Sequence, residues 1–197
     1  MSRENGNVEW IKRGRQRAAG AQVLRKPMTT TEICTAARSL SPRIQLRDIW
    51  LILKAMRDRG LVICLNPRHV TGKLYALTDL GRRAVKQAFG VEVPRFPQGV
   101  DWRKYARVVR AKARKAVFLA LAEMPPELCA TATVIRKRLR DKHPMGLSPV
   151  IRALKELEQL NLASRKPTED SDRHRAYALT KQGADIARKL EQQVVLK

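Results

Sequence analysis

Residues 147–183, "LSPVIRALKELEQLNLASRKPTEDSDRHRAYALTKQG", decide the fold of this chain, because their ending has been written once before. Tyr177, Leu179, Thr180 and Gly183 repeat Tyr75, Leu77, Thr78 and Gly81 at identical spacing. Working back from each tyrosine, the match lengthens. Leu147, Val150, Ile151, Leu154 and Leu157 stand at i, i+3, i+4, i+7 and i+10, and so do Leu46, Ile49, Trp50, Leu53 and Met56. Apolar residues at that period form one stripe of an amphipathic helix. Gly60 and Asn161 follow the two helices at equivalent places. These residue types best adopt the left-handed C-terminal cap. Ser148 and Pro149 read as an N-cap and a first-turn proline, which start the second helix. A match this long marks a duplicated unit.

After each helix the chain alternates. "LVICL" (61–65) and "LASRK" (162–166) read as strands. The polar turns "NPRHVTG" (66–72) and "PTEDSDRHR" (167–175) follow, then the returning strands "KLYAL" (73–77) and "AYAL" (176–179). Each pair is a β-hairpin. Thr78 and Thr180 then cap a closing helix. Upstream, "TTTEICTAARSL" (29–40) opens with hydroxyl N-cap candidates and Glu32 in the first turn, and "TATVIRKRLRD" (131–141) is its counterpart. Longer helices precede these. One runs from Glu9 to Pro27; the other carries Trp102, Tyr105, Val109, Ala113, Ala116, Ala120 and Met124 in one stripe and ends at Pro125. The expected fold is mainly α with small β-hairpin wings (α+β). It comprises two tandem winged helix-turn-helix domains, 1–90 and 102–197, joined by a semi-rigid Pro/Gly linker at 91–101.

Charge narrows the function. The 197 residues hold 41 Lys and Arg against 18 Asp and Glu, a formal net charge of +23. Residues 1–90 carry +12 and residues 91–197 carry +11, so the excess is not a tail on a neutral domain. Such a balance predicts a polyanionic partner, foremost nucleic acid. There is no apolar run to span a membrane and no signal-peptide stretch at the N-terminus, which points to a cytoplasmic, nucleoid-associated protein. Cys34, Cys64 and Cys129 are scattered singletons and read as buried small hydrophobes. No Gly-rich phosphate loop or paired carboxylate site is present. His69, His143 and His174 lie in polar turns without Cys or Glu at metal spacing. The sequence therefore predicts no enzyme, no metal and no cofactor.

Residues 147–183 also resemble the MarR family of transcriptional regulators. The likeness lies in a helix ending in a small residue, a hydrophobic strand, basic residues, an acidic turn with Asp172, Arg173 and Arg175, and the Leu-Thr-x-x-Gly close. That close recurs in PadR-like and other winged helices. The first half shares the generic pattern only. The resemblance implies a DNA-binding regulator, and dimerisation through terminal helices; with two units on one chain, a homodimer or another protein partner stays open.

A winged helix sets its third helix in the major groove and its wing on phosphate or the minor groove. The exposed positions near the third helix are Arg43, Gln45, Arg47 and Lys54 in the first half, and Ser148, Arg152 and Lys155 in the second. Arg and Gln suit base edges. The wings offer Arg68, His69 and Lys73, and Arg165, Lys166, Arg173, His174 and Arg175. The dense basic runs 107–115 and 136–142 are expected to track phosphates. Trp50 is expected in the core; Trp10 and Trp102 read as core anchors or partner contacts. Two functions follow: a sequence-specific transcriptional regulator of double-stranded DNA, or a nucleoid-architectural or plasmid/virus maintenance protein with low sequence preference. A protein–protein adaptor is weakened by the charge.

Overall fold

In the computed structural model, which describes residues 3–125, 128–166 and 175–191, one succession of elements occurs twice. The first comprises α1 (Arg3–Lys12), α2 (Arg15–Val23), β1 (Met28–Thr29), α3 (Thr30–Ala37), α4 (Leu46–Asp58), β2 (Val62–Cys64), β3 (Leu74–Leu77) and α5 (Asp79–Phe89). The second comprises α6 (Trp102–Arg110), α7 (Lys112–Ala122), β4 (Ala130–Thr131), α8 (Ala132–Leu139), α9 (Leu147–Gln159), β5 (Ala163–Lys166), β6 (Ala176–Leu179) and α10 (Lys181–Glu191). The chain is mainly helical, with two small antiparallel sheets ordered β1-β3-β2 and β4-β6-β5. It divides between Gln98 and Gly99 into two compact units, each with its own core.

The repeated Leu-Thr-x-x-Gly close is a set of hydrogen bonds made identically in both units. The Thr78 N–H donates to the Leu61 carbonyl at 3.0 Å, and that of Thr180 to Leu162 at 3.0 Å. Each threonine hydroxyl donates to the residue in the left-handed cap, Gly60 at 2.6 Å or Asn161 at 2.8 Å. Each also accepts from the backbone N–H three residues on, Gly81 or Gly183, at 3.1 Å. The glycine is obligatory: a Cβ there would lie 2.0 Å from the Leu61 carbonyl oxygen, or 2.1 Å from that of Leu162. One hydroxyl thus caps the closing helix and ties it to the end of α4 or α9.

Other caps follow the sequence. Thr29 and Glu32 form a reciprocal capping box on α3, and Thr131 caps α8. At α9 the structure corrects the reading: Gly146, not Ser148, is the N-cap, without a side-chain bond, and Pro149 sits in the first turn. Its missing N–H is harmless there, because first-turn donors have no partner within the helix.

Each long N-terminal helix read from the sequence is two helices. The breaks fall at Gly14 (φ −116°, ψ 109°) and Ala111 (φ −112°, ψ 119°). Gly14 is a weak helix former. Ala111 carries no such signal; the cause is burial. Val108 on α6, and Val117, Phe118 and Leu121 on α7, all enter one core. On a continuous helix these side chains would point all round the axis. The two-residue strands β1 and β4, unexpected from sequence, pair with the returning strands in matching register, Met28 with Tyr75 and Ala130 with Tyr177.

Trp10 lies between two guanidinium groups, with Arg17 4.0 Å and Arg59 4.4 Å from its ring centroid. Burial, and then the neighbouring Arg59 charge, lower the Arg17 pKa. This joins α1 and α2 to the end of α4. Trp102 packs edge-on against Tyr105 beside the second core. The segment read as linker contributes to both cores, with Val91 and Val93 packed on the first and Val100 buried in the second. Of the cysteines only Cys34 is a buried small hydrophobe; Cys64 is half-buried and Cys129 is exposed, against the reading from sequence. Among the described residues, no helix is long and apolar enough to cross a membrane.

Candidate nucleic-acid interface

The buried stripe of α4 is Ile49, Leu53 and Met56, with Ile52 packed beside them. This set follows i, i+3, i+4, i+7; it keeps three of the five residues read from the sequence and turns the buried face by about 45°. Leu46 and Trp50 therefore leave the core. Trp50 is 54% exposed, which overturns its assignment as a core residue. Its outward face now runs Arg47, Trp50, Leu51, Lys54, all exposed, with Arg43 and Gln45 exposed just before the helix. Asp48, the acid in that first turn, is engaged: its carboxylate accepts from the Gln45 backbone N–H at 2.9 Å and from Gln16 Nε2 at 3.3 Å.

Lys54 Nζ stands 5.9 Å from the Trp50 ring centroid. Together with Leu53, Arg57, Lys73 and Tyr75 they line a cleft of about 340 Å³. Lys73 reaches it from the hairpin, so the structure brings together a helix residue and a hairpin residue predicted separately. Arg68 is exposed and His69 half-buried at the turn beyond, outside this cleft. The turn is held by Asn66, which is buried. Its Oδ1 accepts from the Leu74 N–H at 2.7 Å, and its Nδ2 donates to the Gly72 carbonyl at 3.1 Å. Arg57 and Trp50 were missed as surface residues. Plotting α4 around its true core face would have found both.

The second unit distributes its charge differently. On α9, Ser148, Arg152 and Lys155 are exposed, with Ile151 where the first unit has Trp50. Glu158 stands where the first unit has Arg57, and its carboxylate binds Arg165 Nε at 2.8 Å. That hydrogen bond raises the Arg165 pKa and occupies a side chain predicted to be free for a ligand. Lys166 and Arg175 are exposed; Arg173 and His174 lie outside the described residues.

In the basic run 107–115, Arg107, Arg110 and Lys112 face solvent. Arg114 does not: it is largely buried and pairs with Glu156 of α9 at 3.4 Å, so it serves packing rather than a phosphate. The densest free charge of this unit is on α8 and its end. Arg136, Lys137 and Arg140 line a cleft of about 540 Å³ with Thr133, Pro144 and Met145. Arg138 and Lys142 lie nearby, 3.6 and 3.7 Å from the Glu123 carboxylate. The equivalent helix α3 carries no basic residue.

Among the described residues, no group of three His, Cys, Asp or Glu side chains could hold a metal ion. Compared with known proteins, the chain matches no protein-family model and no curated sequence.

Proposed function

We propose that each unit is a winged helix-turn-helix and that the chain binds double-stranded DNA as a sequence-specific transcriptional regulator. The observation that carries this reading is the face made by α4 and its hairpin, where Lys54, Arg57 and Lys73 line a cleft, Arg47 is exposed on the same helix, and none of the four forms an ion pair among the described residues. Unpaired cations on a helix followed by a basic hairpin are what a major groove and its flanking phosphates require. The element order supports it: α3, a turn, α4, hairpin, closing helix, and the same again from α8 to α10. Such a protein works on the nucleoid, in the cytoplasm.

The α8 cleft favours a second reading. Its cations sit on the helix before α9, where a winged helix crosses the phosphate backbone and reads no bases. Were both units to bind only in that manner, the protein would be an architectural or maintenance factor with little sequence preference.

Fluorescence anisotropy with duplex DNA tests the proposal. Two units together making on the order of 6–10 phosphate contacts should lose roughly 10³–10⁵ in affinity between 50 and 200 mM salt. A log–log slope shallower than about −2 would contradict engagement of a duplex by these faces. A regulator will also bind its selected sequence about 10³-fold or more tighter than random duplex, whereas an architectural protein will not.

A further inference from the structure

We propose that Trp50 makes the first unit a reader of thymine, its indole packing against 5-methyl groups in the major groove. This rests on the DNA-binding reading above and gives it a base preference.

An indole more than half in water, in the middle of an amphipathic helix, is not there for the core. The core face of α4 is filled by Ile49, Leu53 and Met56 without it. Nor does the repeat demand it, since Ile151 stands at the same place in α9. Its surroundings define its partner. Arg47 lies about one turn before it and Lys54 one turn after, and Arg57 and Lys73 share its cleft. Among the described residues, no acidic side chain lines that cleft. An apolar protein surface placed there would strip water from several cations and offer them nothing in return, which is costly. A DNA groove supplies phosphates to the cations. Among base edges, the major groove presents one apolar group, the thymine methyl. The Lys54 ammonium stands over the ring, 5.9 Å from its centroid, so a cation already flanks the indole where a phosphate would approach. A tryptophan also presents a large rigid contact area for few rotatable bonds.

The test deletes only the methyl. Duplexes of random sequence are selected for binding to the full chain at fixed salt, and the bound fraction is re-amplified with either dTTP or dUTP. Base pairing and phosphate charge are unchanged between the two pools. One methyl contact corresponds to about a fourfold change in affinity, and two to about fifteenfold. The wild-type chain should bind the dUTP pool about four- to fifteenfold more weakly. Trp50→Ala should bind both pools equally, at the wild-type affinity for the dUTP pool. Ile151→Ala should keep the methyl dependence. A thermal melt of Trp50→Ala close to wild type shows that the fold is intact, as the side chain's exposure leads us to expect. Equal binding of the two pools by wild type, or a methyl dependence that survives Trp50→Ala, overturns the assignment while leaving DNA binding standing. Failure to recover any bound duplex overturns the DNA-binding reading itself, and this inference with it.

Discussion

The helices α4 and α9 share a length, a core stripe and a closing hydrogen-bond network, yet their outward faces have diverged. α4 presents Arg47, Trp50, Lys54 and Arg57; α9 presents Ser148, Ile151, Lys155 and Glu158 at the same places. The difference continues upstream, where α8 carries the cations that α3 lacks. The two units share what holds each together and differ in what each shows to solvent. Core positions are constrained by packing density, whereas a surface position can change charge at little cost to stability. On the proposed function, the first unit's face is the one for base edges and the second unit's the one for phosphate.

The shared framework is where the largest effect lies. Gly81→Ala and Gly183→Ala each drive a methyl into a backbone carbonyl and should destabilise their own unit by about 3 kcal/mol or more. Denaturant unfolding should show similar losses for the two. A large loss in one and none in the other would break the equivalence of the units. Next come the charges that differ. Arg47→Ala should weaken binding to a selected duplex by about 1–3 kcal/mol and to random duplex by less, while Ser148→Ala should do little to either. Competition anisotropy reads both. Converting Glu158→Arg gives the second unit the first unit's charge and frees Arg165. The salt slope should then steepen by about one to two contacts' worth, near −0.9 each. The smallest effect is on stability: Arg165→Ala removes an exposed ion pair and should cost less than about 1 kcal/mol in thermal melts.

Most of the framework was legible because it is written in local chemistry. Thr29, Thr78, Thr131 and Thr180 cap helices, Gly60 and Asn161 take positive φ, and a repeated Thr-x-x-Gly encodes a close backbone approach. What escaped depends on partners distant in sequence. The break at Ala111 is set by the shared core of α6 and α7. β1 and β4 exist only through pairing with β3 and β6. Trp50 shares its i, i+3, i+4 spacing with true core residues, and only contact with the rest of the unit decides which side of the stripe is buried. Arg114 and Arg165 look like their neighbours in a basic run, and are set apart by glutamates on α9.

The division of labour between the units is tested most directly by measuring salt slope and specificity ratio on the full chain for two variants. One removes uncharged contacts from the first unit, Gln45→Ala with Trp50→Ala. The other removes charge from the second, Arg136→Ala with Lys137→Ala and Arg140→Ala. The first should lower the ratio of selected to random affinity and leave the slope unchanged. The second should make the slope shallower by about 2.7, near 0.9 for each lost phosphate contact, and leave the ratio within about threefold. If both variants move both quantities alike, or neither moves either, the two faces do not play separate roles and the account is wrong.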